Sequence, residues 1–247
     1  MSASIIFHIP HSSEYVPAAL RKSFVAGLAE NLRAMTDRYT DELFDLPVQK
    51  IVFPVSRLIC DVERFRDDSA EEMSRRGMGV CYTRGYDGNL LRRFSEEEKE
   101  LILRRWYDTH HAALADMTAK SLERFDECTI IDCHSFSAIP LPYEPDQASD
   151  RPDVCIGTDE YHTPVELRER LTGSFRKRGY TVSVNSPYSG TMVPMRYYRK
   201  DSRVRSVMIE INRGLYLTGR CERSAGFDRV KNDIAGIMKQ FITSGGR

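Results

Sequence analysis

Short apolar runs and apolar residues at helical spacing alternate along this chain. The short runs predict strands over residues 4–7, 50–53, 57–62, 128–133, 154–157, 180–184 and 205–211. Apolar residues that recur every three or four positions predict helices over 28–44, 95–125, 163–179 and 224–242. Strands that alternate with helices are typical of the α/β class. We therefore predict one domain, residues 1–247, with a mostly parallel or mixed central sheet and helices on both faces.

Composition narrows the possible classes of protein. The chain carries 36 basic and 36 acidic residues, so no overall positive field attracts nucleic acid. The apolar run near its start, residues 5–7, is much shorter than a signal peptide or a membrane span requires. The six cysteines form no C-x-x-C pair, which is typical of a reducing compartment. These features predict a cytoplasmic protein that binds neither nucleic acid nor a membrane.

Candidate metal ligands follow the predicted strands, where α/β sheets bind their ligands. His11 and Glu14 come just after the first strand, and His134 lies one residue past the strand at 128–133. Imidazole and carboxylate groups are normal zinc ligands, and a catalytic zinc takes three protein ligands and a water molecule. Each of these residues, taken singly, also fits a surface turn or a strand end. Asp132 is on the same side of its strand as His134 and can orient it.

Glu210 is an acid within the apolar strand VMIEI. A buried carboxylate is costly unless it has a partner. The residue therefore fits either a structural salt bridge, for which Arg213 is a candidate, or a general base that deprotonates water. The chain contains no G-x-S-x-G elbow, which argues against a serine hydrolase.

Seven segments in this order resemble the N-formylglutamate amidohydrolase family, which is distantly related to the zinc carboxypeptidases and aspartoacylases. The segments are IPHSSEYVP, TDRYTDELF, VSRLICDVERF, YDTHHAAL, DCHSF, VNSPYSG and IEINRGLYL. They extend over most of the chain, and the ordered set is much more specific than any one motif. The resemblance implies a zinc-exopeptidase-like fold and the hydrolysis of an N-acyl amino acid, with N-formyl-L-glutamate as the expected substrate.

The resemblance also implies roles for individual residues. His11, Glu14 and His134 would bind one zinc ion, and Glu210 would be the catalytic acid and base. Arg64, together with Arg57, would bind a substrate carboxylate or polarise the scissile carbonyl, because a guanidinium matches a carboxylate with two hydrogen bonds. The remaining residues expected beside the substrate are Asn185, Tyr188, Ser189, Gly190 and Arg213.

Three features leave the substrate open. Glu63 stands where the family usually has Asn, and a carboxylate there can repel an acidic ligand. The polar segment 141–153 is a candidate specificity loop or a plain surface excursion, and His111 is either a packing residue or an active-site contact. The alternatives are therefore another zinc deacylase or carboxypeptidase-like hydrolase, and a non-catalytic binding protein with the same fold.

Overall fold

The structure is a computed structural model that describes residues 4–244. These residues form six strands and seven α-helices, whose bounds in chain order are β1 Ile5–Ile9, α1 Ala18–Arg21, α2 Leu28–Met35, α3 Thr40–Leu43, β2 Gln49–Val52, α4 Glu96–Ile102, α5 Thr109–Phe125, β3 Cys128–Phe136, β4 Val154–Gly157, α6 Val165–Arg176, β5 Val182–Val184, β6 Val204–Asn212 and α7 Phe227–Ser244. A π-helical segment, Leu103–Asp108, joins α4 to α5. Within this range no helix is long and apolar enough to cross a membrane.

The strands form one mixed sheet in the order β2-β1-β3-β6-β4-β5. The neighbours β2, β1, β3 and β6 are parallel, whereas β4 runs antiparallel to β6 and pairs in parallel with β5. Every residue of β1 and β3 is buried, as expected for central strands covered on both faces. The predicted α/β fold with a mostly parallel or mixed sheet is therefore confirmed.

Successive side chains of a strand point to opposite sides of the sheet. Because the central strands are apolar on both sides, helices cover both faces. Phe7 and Ile131 pack in a core cluster with apolar residues of α3, α6 and α7. Ile6 and Ile130 belong to a cluster on the other face, which includes Leu114 of α5. Polar groups at the carboxyl ends of the strands are thus carried by a framework buried on both sides.

Two predicted elements are wrong. The helix predicted over 28–44 breaks into α2 and α3, because Thr36 is extended and Tyr39 has a left-handed backbone with φ of 64°. The segment 57–62 is not a strand but a buried turn, in which the amide of Ile59 donates to the carbonyl of Ser56. A buried turn and a buried strand give the same short apolar run, so spacing alone does not separate them.

Candidate active site

The carboxyl ends of β1, β3 and β6 bring three predicted residues to one edge of the sheet. His11 follows β1, whereas His134 lies inside β3, which extends to Phe136 and is longer than predicted. Glu210 on β6 is directly opposite His134 in the parallel register. Segments that are distant in sequence therefore meet because their three strands are parallel and adjacent.

His11, Asp37 and His134 form a group that could hold a metal ion, since one ligand atom from each lies within 4.8 Å of the other two. The Asp37 Oδ2 atom is 3.1 Å from His134 Nδ1 and 3.8 Å from His11 Nδ1. The three residues are 1%, 1% and 3% exposed in chain order. His11 Nδ1 is buried and makes no hydrogen bond with any residue that the structure describes. Two imidazoles and a carboxylate are a donor set that fits zinc.

Two further carboxylates orient the histidine rings. His11 Nε2 lies 2.9 Å from Asp61 Oδ1, and His134 Nε2 lies 3.2 Å from Asp132 Oδ1. Asp61 is fully buried and also accepts hydrogen bonds from the Tyr82 hydroxyl at 2.6 Å and from the Arg57 guanidinium. Each Nε2 atom is thus held by a carboxylate, and each Nδ1 atom faces Asp37, which is the usual arrangement around metal-binding histidines.

The electrostatic surroundings of the two histidines differ. Burial, reinforced by the positive charge of Arg57, lowers the pKa of His11 and favours the neutral ring that a metal requires. Burial also acts to lower the pKa of His134, but the carboxylates of Glu63 and Asp132 outweigh it and hold that pKa well above its ordinary value. The acids around His134 therefore favour positive charge at this position, whereas the surroundings of His11 favour a neutral ring.

Glu210 places a buried carboxyl group directly opposite His134 on the neighbouring strand. It is 7% exposed, and its Oε2 atom is buried without a hydrogen bond to any group in residues 4–244. Burial raises its pKa to about 8, against the opposing positive charge of His134. The sequence left a salt bridge with Arg213 open, but no ion pair joins the two among the described residues.

The Arg213 guanidinium instead holds Asp37. Its Nη2 atom donates to Asp37 Oδ1 at 2.7 Å, Nη1 donates to the Ala34 carbonyl at 2.6 Å, and Nε donates to Ser135 Oγ at 3.1 Å. Asp37 is buried, which alone would raise its pKa, but its bonds to His134 and Arg213 keep the pKa well below its ordinary value. Arg213 therefore fixes a carboxylate of the candidate metal group in its ionised form.

A cavity of about 380 Å³ opens over these residues. Its volume is within the range of small-molecule sites. Five of the residues expected beside a substrate line it together with Arg213, namely Arg57, Arg64, Tyr188, Ser189 and Gly190. The seventh, Asn185, does not line it, because its side-chain amide oxygen accepts a hydrogen bond from the Thr158 amide at 2.9 Å and its amide nitrogen donates to the Thr158 hydroxyl at 2.8 Å.

Glu14 does not join the candidate metal group. Its side chain is 38% exposed, and its carboxylate accepts a hydrogen bond from Arg38. The carboxylate of the group comes from Asp37, which the sequence analysis did not single out. The sequence feature that could have indicated Asp37 is the segment TDRYTDELF, which contains it. The chain turns there between α2 and α3, and the Asp37 amide donates to the His11 carbonyl at 3.0 Å.

Glu63 lies at the base of the cavity rather than on the outer surface. Its Oε1 atom is 3.1 Å from His134 Nε2, and its Oε2 atom is 3.7 Å from His11 Nδ1. Glu63, His8 and Asp132 form a second group of possible ligands, in which His8 Nδ1 is 2.7 Å from Asp132 Oδ1. Glu63 therefore places an additional carboxylate beside both histidines of the first group.

His111 and the segment 141–153 both contribute to the cavity wall. His111 Nε2 donates to the Val62 carbonyl at 2.8 Å, its ring centroid is 4.1 Å from that of Tyr107, and burial lowers its pKa to about 4. Three residues of the segment line the cavity, namely Leu141, Tyr143 and Glu144. The Glu144 carboxylate is buried and forms an ion pair with Arg151, which ties two parts of the same segment together.

The fold and the site together define an α/β protein with a buried histidine and carboxylate group at the carboxyl edge of its sheet. The family model of N-formylglutamate amidohydrolases matches residues 3–217. The chain therefore belongs to the N-formylglutamate amidohydrolase family.

Solved structures agree on the fold. The structure of an N-formylglutamate amidohydrolase from Ralstonia eutropha JMP134 superposes with a TM-score of 0.84 at 23% identity, covering 98% of this chain and 95% of that one. The gene product Atu2144 from Agrobacterium tumefaciens gives a TM-score of 0.69 at 16% identity, covering 98% and 91%. No curated protein matches the chain at a comparable level of significance.

Proposed function

We propose that this protein is a zinc-dependent amidohydrolase that cleaves the amide bond of a small N-acyl amino acid. The observation that carries the proposal is the buried carboxyl of Glu210 opposite His134, whose Oε2 atom has no hydrogen-bond partner within residues 4–244, beside the His11, Asp37 and His134 group. Membership of the amidohydrolase family supports the reaction class, and N-formyl-L-glutamate is the first substrate to assay.

His11, Asp37 and His134 would hold the zinc ion, with Asp37 in the place that the sequence analysis gave to Glu14. A zinc ion there would supply polarisation of the substrate carbonyl and a more acidic attacking water. Asp61 and Asp132 keep the Nε2 atoms of the two rings occupied, so that the Nδ1 atoms stay turned toward Asp37. Arg213 keeps Asp37 ionised and in position.

Glu210 would move the proton of the reaction. Its carboxylate takes a proton from the attacking water and delivers it to the departing nitrogen as the carbon–nitrogen bond breaks. A burial that holds its pKa near neutrality suits a group that must both accept and release a proton. Arg64 lines the cavity and would bind the carboxylate of the amino acid, with Tyr188, Ser189 and Gly190 on the adjoining wall.

Metal analysis of matched variants tests this function. Each variant removes the charge of one acid: Asp37→Asn that of an acid close to His11 in space, and Glu14→Gln that of an acid close to His11 in sequence. We expect about one zinc ion per chain in the wild type and in Glu14→Gln, with formate released from N-formyl-L-glutamate or from another N-formyl amino acid. We expect Asp37→Asn to lose both zinc and turnover. Zinc retained by Asp37→Asn but lost by Glu14→Gln would return the ligand assignment to Glu14, and a wild type that takes up no zinc would refute the proposal.

A different N-acyl substrate is the second candidate, and the position of Glu63 at the base of the cavity favours it. If N-formyl-L-glutamate is the substrate, we also propose that the protein acts in the cytoplasm and in histidine degradation.

A further inference from the structure

The cavity is lined in part by apolar and aromatic side chains, among them Phe65, Tyr107, Met192, Val193, Met195 and Tyr198, which we call the apolar wall. Two of these side chains are large, apolar and open to solvent, since Phe65 is 49% and Met195 is 57% exposed. Apolar side chains that line a cavity gain free energy when an apolar part of a ligand covers them. The wall therefore offers a place to an apolar group of the substrate, which a short acidic side chain does not use.

Three arginines line the cavity, and two of them are held by acids of the protein itself. Arg57 donates to Asp61 Oδ2 from Nε at 3.2 Å and from Nη2 at 2.8 Å, and Arg213 is committed to Asp37. Within the described chain the side chain of Arg64 makes no hydrogen bond, and its nearest acid is Asp61 at 3.9 Å. Arg64 is thus the arginine of the cavity whose guanidinium is open to a ligand.

Glu63 makes a second carboxylate on the substrate still less favourable. It adds a negative charge to the base of the cavity, where it is 17% exposed and beside His134. A like charge brought close to it in a site of low dielectric is repelled. A dicarboxylic substrate such as N-formyl-L-glutamate would bring two carboxylates to a cavity with one open guanidinium and one extra acid.

Two residues of the apolar wall lie beside the backbone of Arg64. Phe65 directly follows Arg64, and the Tyr107 hydroxyl donates to the Arg64 carbonyl at 2.8 Å. Part of the wall is therefore carried by residues that flank the arginine that would bind the α-carboxylate. The atoms next to an α-carboxylate are those of the amino acid side chain, whereas the acyl group is directed toward the candidate metal group.

We propose that the preferred substrate is an N-acyl amino acid with a single carboxylate and an apolar side chain, which lies against the apolar wall while Arg64 binds the α-carboxylate. Water adds across the amide bond, and the products are the free carboxylic acid and the free amino acid. This inference rests on the proposed function and narrows its substrate class.

The test compares kcat/KM of the zinc-loaded wild type for N-formyl-L-leucine, N-formyl-L-glutamate, N-formylglycine and N-hexanoyl-L-glutamate. We expect N-formyl-L-leucine to exceed the two glutamate derivatives by at least about tenfold. A preference for N-formyl-L-glutamate would overturn the inference and leave the proposed function intact. A preference for N-hexanoyl-L-glutamate would place the acyl chain on the wall and would also overturn it. Failure to hydrolyse any of the four would refute the proposed function itself.

Two matched variants locate the preference. Phe65→Ala removes an exposed side chain of the wall, and Leu101→Ala removes a 67% exposed side chain of α4 that does not line the cavity. We expect Phe65→Ala to lower the ratio of kcat/KM for N-formyl-L-leucine over N-formylglycine by about tenfold, mainly through KM. Leu101→Ala should leave that ratio unchanged. An unchanged ratio in Phe65→Ala, or an equal fall in both variants, would contradict the inference.

Discussion

Replacing Asp61 by Asn tests whether the carboxylate behind His11 prepares the metal group. Asp61 is fully buried, and its two oxygens lie within hydrogen-bonding distance of His11, Tyr82, Arg57 and the Glu63 amide. Asn has the same size but lacks the charge, and it presents an NH₂ group where an acceptor is needed. We therefore expect Asp61→Asn to weaken zinc binding and to destabilise the fold at the same time.

The expected magnitudes follow from the geometry. Loss of a carboxylate that orients a metal-binding histidine typically weakens the metal about 10- to 100-fold, or about 1.4 to 2.7 kcal/mol. Arg57 would stay buried beside an uncharged group, and breaking a buried pair costs roughly 3 kcal/mol or more. For a chain of this size, a loss of about 3 kcal/mol lowers the melting temperature by roughly 6 to 12 °C.

Zinc affinity is measured by competition with a chelator at a temperature where the variant is folded, and stability by thermal denaturation of the zinc-free protein. Asp67→Asn is the matched control, since it makes the same chemical change at an exposed position outside the site. A zinc affinity within twofold of the wild type, together with a lowered melting temperature, would mean that Asp61 is structural only. An unchanged melting temperature as well would refute the proposed network around Asp61.

Three other substitutions separate the roles of the remaining groups. Glu210→Gln should lower kcat at least about 100-fold while zinc content stays at the wild-type level, as determined by turnover and metal analysis. Arg64→Lys should raise KM about tenfold with little change in kcat, because a lysine cannot make the paired hydrogen bonds of a guanidinium; initial-rate kinetics measure this. Arg151→Met should lower the free energy of unfolding by roughly 3 kcal/mol in urea denaturation, because it leaves Glu144 buried without its partner.

Each of these expectations has an outcome that contradicts it. Near-wild-type turnover by zinc-loaded Glu210→Gln would remove Glu210 from the chemistry. A fall in kcat alone for Arg64→Lys would argue that this arginine stabilises the transition state rather than binding the ground-state carboxylate. If the double variant Glu144→Gln/Arg151→Met were no more stable than Arg151→Met, the unpaired charge of Glu144 would not be the cause of the loss.

The sheet could be predicted from the sequence because its central strands are continuous apolar runs. Residues 128–133 and 205–211 predict the two strands that carry His134 and Glu210, and the parallel pairing of β3 with β6 then places these residues side by side. The position of His11 followed from the same rule, since it comes directly after β1. The site residues that lie at strand ends could therefore be predicted from the periodicity and spacing of apolar residues.

Asp37 could not be found in the same way. Apolar spacing on both sides of it is helical, and the break is accompanied by tertiary contacts that spacing does not reveal, such as the hydrogen bonds from the Asp37 amide to the His11 carbonyl and from Arg213 to Asp37. Glu14 was the more obvious candidate because it is close to His11 in sequence. The backbone between the two residues, however, directs the Glu14 side chain toward Arg38. Short sequence distance predicts a shared site only where the backbone conformation between the residues is known.

The π-helical segment between α4 and α5 sets the angular position of everything that follows it on that helix. An α-helix turns about 100° per residue, so each inserted or deleted residue rotates the later side chains by that angle. Tyr107 and His111 reach the backbone of Arg64 and Val62 only at the present angle. The deletion of a single residue from Leu103–Asp108 would rotate Tyr107 and His111 away from the cavity while the helix itself stayed intact. The length of this segment therefore determines the ligand site as much as the identity of its side chains does.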